Sequence, residues 1–418
     1  MSIACPDCGT LVDLPSVAAG GTATCPVCHH ALERSAGRNI AGALACSAAT
    51  FALLFPANLL PLMDVHLLGL HTESRIGSSV LALWDRHWVI VAILTAAFVV
   101  ILPLLRFGLL TVVLACLQLH RHPRWLGRAF RWSLHLDHWA MPDVFLIGCA
   151  VGYSRIAANL PVTISAGGFC MIGAALLCMA TRASLDRRTV WRSIAAGPAE
   201  PPADIEVISC QACDLVVPAA LDGQPCPRCR LTLNSRKPHA MARTFAFTLA
   251  GLVLYLPANF YPMSSALQMG TLTPHRIVDG IRELITAGFW PLAIVIFCTS
   301  IAIPALKLIG LSWLMLSVRR HSTRHLVLKT HFHRIINEVG RWSCVDVFTV
   351  AVFLPLIQFG ALASTRPGVG LVAFLLVVVF TMIASSSFDV RLIWDAAHSG
   401  PREKLGILHG KLRHGHAT

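Results

Sequence analysis

The chain is short of charge. Only 13% of its 418 residues are Asp, Glu, Lys or Arg, about half the share of a soluble globular domain. A soluble fold is excluded on that ground, because 55% of the residues are hydrophobic and gather in runs, several reaching the roughly 20 residues a spanning helix needs. Common catalytic signatures are missing too. The sequence holds no phosphate-cradling Gly-x-x-x-x-Gly-Lys-Ser/Thr and no dinucleotide Gly-x-Gly-x-x-Gly. It has no paired carboxylates on a polar scaffold, and lone histidines such as His66, His71 and His275 give no triad. Neither an ATPase nor a hydrolase is expected, and the chain is read as not an enzyme. Residues 1–35 are polar and rich in Cys and Gly, so no cleavable leader is expected, and the first span should act as its own insertion signal.

The formal charge is +13, which on a soluble chain would suggest nucleic acid. Here most Lys and Arg sit in short segments beside apolar runs, and no nucleic-acid motif accompanies them. The loop 119–138 holds Arg121, Arg124, Arg128 and Arg131, and 318–341 holds Arg319, Arg320, Arg324, Lys329, Arg334 and Arg341. The stretch after the fourth apolar run adds Arg182, Arg187, Arg188 and Arg192, whereas 63–87, 161–165 and 264–287 are poor in Lys and Arg. The positive-inside rule then puts these basic segments and both termini in the cytoplasm.

The chain is written twice, at an offset of about 201–203. Cys25 and Cys28 fall on Cys226 and Cys229, and Pro56-Ala57-Asn58 on Pro257-Ala258-Asn259. Trp88 pairs with Trp290, Pro103 with Pro304 and Arg106 with Lys307. "WAMPDVF" (139–145) meets "WSCVDVF" (342–348), and "SLDRRTVW" (184–191) meets "SFDVRLIW" (387–394). Such registered self-similarity marks a tandem duplication. The expected fold is mainly α: a polytopic membrane protein in which each half is a small cytoplasmic zinc-ribbon-like β head followed by four transmembrane helices, eight spans in total. Spans are expected near 40–62, 88–118, 140–160 and 164–182, then 243–263, 288–317, 344–364 and 368–385. The domains follow as head 1 (1–36), four-span module 1 (37–194), linker (195–206), head 2 (207–237), four-span module 2 (238–395) and a basic cytoplasmic tail (396–418). Four spans return the chain to its starting side, so the repeats are parallel rather than inverted.

Fifteen cysteines occur. Eight form Cys-x-x-Cys pairs: Cys5, Cys8, Cys25 and Cys28 in head 1, and Cys210, Cys213, Cys226 and Cys229 in head 2. Two such pairs on tight turns set four sulfurs in a tetrahedron around Zn²⁺. Four protein ligands close the site, which implies a structural role at two zinc sites. Iron in a rubredoxin-like site suits S₄ geometry as well. A redox pair would need a single Cys-x-x-Cys in a βαβ setting, and a disulfide staple conflicts with a reducing cytosol. Cys46, Cys116, Cys149, Cys170, Cys178, Cys298 and Cys344 are scattered in or beside apolar runs and read as small buried hydrophobes.

A few polar residues interrupt the apolar runs. Pro56, Asn58 and Pro61 close the first span of one half, and Pro257, Asn259 and Pro262 that of the other. Prolines there free backbone carbonyls, and two readings stay open for the asparagines, a local cap or a contact with a lipid head group. Asp143 and Asp346 lie near the start of the third span of each half. Either they cap a helix N-terminus or they pair with Arg106 and Lys307 within the membrane. Asp186 with Arg188 and Asp389 with Arg391, followed by Trp191 and Trp394, read as an interfacial anchor or as a docking point for the heads. Trp84, Trp88 and Trp290 fit an outer aromatic belt, and Pro103 and Pro304 mark kinks.

Two tetracysteine heads each lead to four spans, with "PANxxP" ending the first, "WxxxDVF" opening the third and "S-[LF]-D-x-R-x-x-W" closing the fourth. This ordered set, covering nearly the whole chain, resembles the paraquat-inducible protein A family of bacterial inner-membrane proteins. Head 1 departs from head 2 in the longer gap between its cysteine pairs. The resemblance implies an inner-membrane component of a phospholipid transport system that works beside a periplasmic MCE-domain tunnel protein. Two other functions stay open: a membrane-embedded metal or redox sensor, and a scaffold that anchors the tunnel without transporting.

Overall fold

The computed structural model describes residues 2–13, 21–34, 40–67, 70–157, 161–195, 207–268, 271–286, 288–345, 347–350, 363–398 and 413–414. Head 1 is two short hairpins, β1 (Ser2–Ala4) with β2 (Leu11–Asp13) and β3 (Thr22–Thr24) with β4 (Ala31–Arg34). α1 (Ile40–Leu59) follows as the first long apolar helix. Its hydroxyls stay inside the bilayer by bonding their own helix, as Thr50 Oγ1 donates to Cys46 O at 2.7 Å.

Beyond α1 the expected loop 63–87 is ordered structure. β5 (Met63–Leu67) and β6 (Leu70–Ser74) form a hairpin, and the short α2 (Ile76–Asp85) follows. A 30-residue helical span then returns, Val89–Gln118. It runs as α3 (Val89–Ala96), a π-helical turn (Ala97–Ile101) and α4 (Leu102–Gln118). Pro103 sits just past the π turn and donates no hydrogen bond, so carbonyls in the turn before it need other partners. Phe98 O finds one in the amide of Met141 at 3.4 Å. That is how a broken helix satisfies its backbone inside a membrane, through a neighbouring segment.

The expected basic loop 119–138 carries α5 (Leu126–Leu136), which buries Leu126, Ala129 and Phe130. α6 (Pro142–Ala157) is the shorter apolar third helix. β7 (Val162–Ile164) then pairs with β5, α7 (Ala166–Ser184) crosses back, and α8 (Arg187–Ile194) ends the half, its N-terminus capped by Asp186.

The second half repeats this order. Head 2 has β8 (Val207–Ser209) paired with β9 (Val216–Pro218). Next come α9 (Ala240–Phe260), the hairpin β10 (Ser264–Gln268) and β11 (Thr271–His275), and α10 (Ile277–Thr286). The 30-residue span Trp290–Arg319 is built of α11 (Trp290–Phe297), a π turn (Cys298–Ala302) ahead of Pro304, and α12 (Ile303–Arg319). α13 (Leu326–Val339), β12 (Ala363–Pro367) paired with β10, α14 (Val369–Ser387) and α15 (Arg391–His398) complete it. Among the described residues, six helices are long and apolar enough to cross a membrane, so the chain is a multi-pass membrane protein. Their bounds differ from the expected spans by a few residues. α6 is too short to count with them, and most of the span expected at 344–364 lies outside the described residues, as does Asp346.

The halves meet at the centre through their third segments. Phe145 and Phe348 pack edge to face at 5.7 Å, and Thr349 Oγ1 donates to Gly148 O at 3.2 Å. Gly148 allows this approach, since a Cβ there would stand 3.0 Å from Phe348 Cβ and 3.1 Å from Val345 O.

The apolar side of each head docks crosswise, while Glu33 of head 1 pairs with Arg192 of α8 and Arg236 of head 2 with Asp395. The apolar side of head 1, with Ile3, Val12 and Leu32, shares a core with Leu314 and Met315 of α12 and with Phe388, Ile393 and Trp394 at the end of module 2. Head 2, with Leu215, Val217 and Leu233, shares one with Leu114, Phe130 and Trp191 of module 1. Polar contacts fix the docking of head 1: Arg391 Nε donates to Pro6 O at 3.1 Å, and Arg334 pairs with Asp7. Trp191 and Trp394 are therefore buried under the heads, which favours the docking reading of the "S-[LF]-D-x-R-x-x-W" segments.

Candidate functional site

Each cysteine knuckle is a turn closed by two backbone bonds. Cys5 N takes Thr10 O at 2.9 Å and Gly9 N takes Cys5 O at 2.9 Å. The pattern repeats at Cys25, Cys210 and Cys226, with His29, Asp214 and Arg230 in Gly9's place. All four of these residues have positive φ, a conformation that suits Gly and strains the others. The turns bring the sulfurs together: Cys5 to Cys28 is 3.4 Å, Cys8 to Cys25 3.6 Å, Cys210 to Cys229 3.5 Å and Cys213 to Cys226 3.6 Å. Thiolates about 2.3 Å from a tetrahedral ion lie about 3.8 Å apart, so both clusters fit one metal ion each. All eight cysteines except Cys8 are buried. With four protein ligands per ion, such a site leaves no open position for chemistry.

The proline-terminated ends lie on the face opposite the heads. Asn58 Nδ2 donates to Leu54 O at 2.6 Å, and Asn259 Nδ2 to Tyr255 O at 2.8 Å. Each Nδ2 therefore bonds back into its own helix, while Asn58 Oδ1 is buried without a partner. Pro56 and Pro257 sit inside the helices, each of which runs on for three more residues before its end at Leu59 or Phe260. The carbonyls beyond are not left free. Pro61 O accepts from Gly167 N at 3.0 Å, and Pro262 O from Gly370 N at 3.1 Å. Each proline end thus caps the N-terminus of its half's last long helix, α7 or α14. Glycine is needed there: a Cβ at Gly167 would stand 2.5 Å from Leu60 O, and one at Gly370 2.5 Å from Tyr261 O. Beside this junction lies the three-stranded sheet β6-β5-β7, or β11-β10-β12 in the second half.

On the head side of the first half the buried charges form one linked cluster. Arg106, 2% exposed, binds Asp137 at 2.6 Å. Asp143, also 2% exposed, lies in the first turn of α6 and binds Arg182 Nη1 at 2.6 Å. Arg182 Nε reaches Asp137 at 3.0 Å, and Arg187 reaches it at 3.1 Å. Asp143 and Arg106 are thus linked through Arg182 and Asp137, without direct contact. Burial would raise the Asp137 carboxyl, but Arg106, Arg182 and Arg187 outweigh it and hold it at about 2. The second half has no such cluster among the described residues. Lys307, 1% exposed, donates to Gly340 O at 2.9 Å and Thr381 Oγ1 at 3.4 Å. A Cβ at Gly340 would overlap Lys307 Cε, so a larger residue there would have to move the lysine's end. Asp137 and Arg182 escaped the sequence reading because they resembled ordinary loop charges, and Gly167 and Gly370 because their partners lie far away in the chain.

Two closed tetracysteine heads crossed over two like membrane modules define a multi-pass membrane protein with paired candidate metal centres. The family profile described as Paraquat-inducible protein A matches residues 40–195 and again 241–398, and the chain belongs to that family. It is 30% identical to the intermembrane transport protein PqiA of Escherichia coli K12 over 412 residues, 96% of this chain and 97% of that one. It is 26% identical to a probable intermembrane transport protein of Haemophilus influenzae, covering 93% and 95% of the two chains. It is also 26% identical to the lipophilic envelope-spanning tunnel protein A of E. coli K12, covering 95% and 92%. No solved structure matches the chain.

Proposed function

We propose that the chain is an inner-membrane component of an intermembrane phospholipid transport system, loading or accepting lipid for a periplasmic MCE-class tunnel protein. The names of the relatives, intermembrane transport protein and envelope-spanning tunnel protein, support this class. In this reading the membrane part is eight spans from a duplicated four-span unit, the heads and termini are cytoplasmic, and each head holds a structural Zn²⁺. The heads brace the modules, and the closed four-sulfur sites count against a labile sensor.

The observation that carries the lipid path is the proline-ended helix pair on the face opposite the heads. Leu59 is 71% exposed and Phe260 68% exposed, directly beyond the bonded asparagines. Asn58 and Asn259 each engage one Nδ2 donor within their own helix. Here a lipid would meet the exposed apolar rim. A photocrosslinker at Leu59 or Phe260 should capture phospholipid that stays bound after detergent delipidation, and one at Ile309, exposed within the span containing α12, should not. Equal capture at all three positions overturns the path and leaves the scaffold reading.

A further inference from the structure

We propose that a crevice on the head side, between the two modules, is a binding site for a phosphoryl anion, either a phospholipid head group or free phosphate. The crevice has a volume of about 420 Å³. Module 1 supplies Arg106, Asp137, Arg182 and Arg187 from three separate segments, and module 2 supplies Glu338 and Arg341 from the end of α13 and the turn after it. Four guanidiniums thus face two carboxylates.

The distribution of partners matters more than the count. Asp137 is surrounded by Arg106, Arg182 and Arg187, so its charge is more than balanced. Arg182 also serves Asp143 behind it. Arg187 is 60% exposed on the rim and makes one contact, to Asp137 Oδ2. Arg341 lines the opposite wall, and its buried Nε has no hydrogen-bond partner. His138 lines the crevice between them, and its buried Nε2 has no partner either. A buried polar atom without a partner is costly and marks a place where a ligand atom would be welcome. Burial, then the charges of Lys307 and Arg341, push the His138 imidazole down to about 4. The imidazole is therefore neutral near pH 7 in surroundings of positive potential.

Planar guanidiniums with free N–H groups on two facing walls suit a tetrahedral anion, which accepts several charge-assisted bonds at once. Glu338 is exposed at the same crevice and would favour an anion that carries a cationic group, as a phosphoethanolamine head does. The walls belong to different modules, so an occupant would span both. The site lies on the face opposite the proline ends and stands independently of the lipid path proposed there.

The full chain, delipidated in a phosphate-free nonionic detergent, would be given two probes. Inorganic phosphate binding would be read by ³¹P line broadening. Retention of phosphatidylethanolamine from nanodiscs of phosphatidylcholine and phosphatidylethanolamine would be read by native mass spectrometry. We expect at least one probe to bind, and R187Q/R341Q to weaken it about tenfold or more, as loss of charged partners does. R128Q, at an exposed position on α5 outside the crevice, should bind as the parent does. Lipid retention that free phosphate does not displace identifies a head group, and saturable phosphate binding that displaces the lipid identifies the free anion. If R187Q/R341Q does not fold, R187Q alone carries the test, because its side chain is on the rim. Binding by neither probe, or unchanged binding in the arginine variants, overturns the site.

Discussion

Replacing Gly127 by alanine should unseat head 2 from module 1. Gly127 is the second residue of α5, under the knuckle of head 2. A Cβ there would overlap Arg228 O, and it would stand 3.2 Å from Arg228 C and 3.5 Å from Cys229 Cα. Both sides of the collision are backbone, so no rotamer change relieves it. The knuckle cannot yield by itself, because Cys226 N–Leu231 O at 2.7 Å and Arg230 N–Cys226 O at 2.9 Å fix its shape around the sulfurs. α5 cannot retreat either, since Phe130 is wedged against Trp191 at 4.8 Å. The remaining route is for the head to lift as a unit, opening the core that Leu215 and Val217 share with Leu114 and Phe130. Overpacking of this kind costs about 1–3 kcal/mol, or about five- to 150-fold in an opening equilibrium. Hydrogen exchange should register that factor at Val190 of α8, which is buried beneath the head. The knuckle amide of Arg230 and the metal content of head 2 should stay unchanged. Parent-like exchange at Val190 in a folded G127A protein would refute the crosswise seat.

Further outcomes follow from the charge cluster and the metal centres. D137N leaves three guanidiniums without their shared anion, one of them buried, and should cost about 3 kcal/mol in detergent unfolding at neutral pH. Because Asp137 is held at about 2 when folded, its contribution is complete above its unfolded value near 3.9. It is lost as pH falls towards 2, so parent and D137N melting points should converge on acidification. C226S should lower bound metal from two ions to one and speed exchange in α5 and α8, while α12, which seats head 1, keeps parent rates. Equal loosening of both modules would show that the heads do not brace them separately.

Local signals in the sequence carried over to the structure. Cys-x-x-Cys spacing dictates a tight turn, so the sulfur clusters were legible without any knowledge of the fold. The apolar runs gave six long helices among the described residues because length and hydropathy suffice for a span, and Pro103 and Pro304 located the disturbed helices. What the sequence hid was non-local. Gly167 and Gly370 look like any glycine in an apolar helix until a proline-ended neighbour is seen against them. The strands of the outer sheets are five residues long or shorter, too brief for a periodic signal. α5 and α13 were hidden by their arginines and histidines, which read as loop charge. Arg182 and Arg187 were counted towards orientation, whereas the fold spends both on Asp137. Crosswise docking leaves no trace in a linear pattern, since either head could have covered either module.

That crossing also sets an order of synthesis. Module 1 is complete in the chain before head 2 exists, so the face of α5 and α8 that head 2 covers has no cover while the linker is being made. The position of head 1 is the more extreme. Its hairpins precede both modules in the chain, yet their apolar seat on α12 and α15 is finished only when residues near 398 emerge. Head 1 thus leaves the ribosome ahead of both modules and is docked only after the second is made. A metal ion captured early would hold its shape through that wait, keeping Ile3, Val12 and Leu32 arranged for a surface that has yet to be translated.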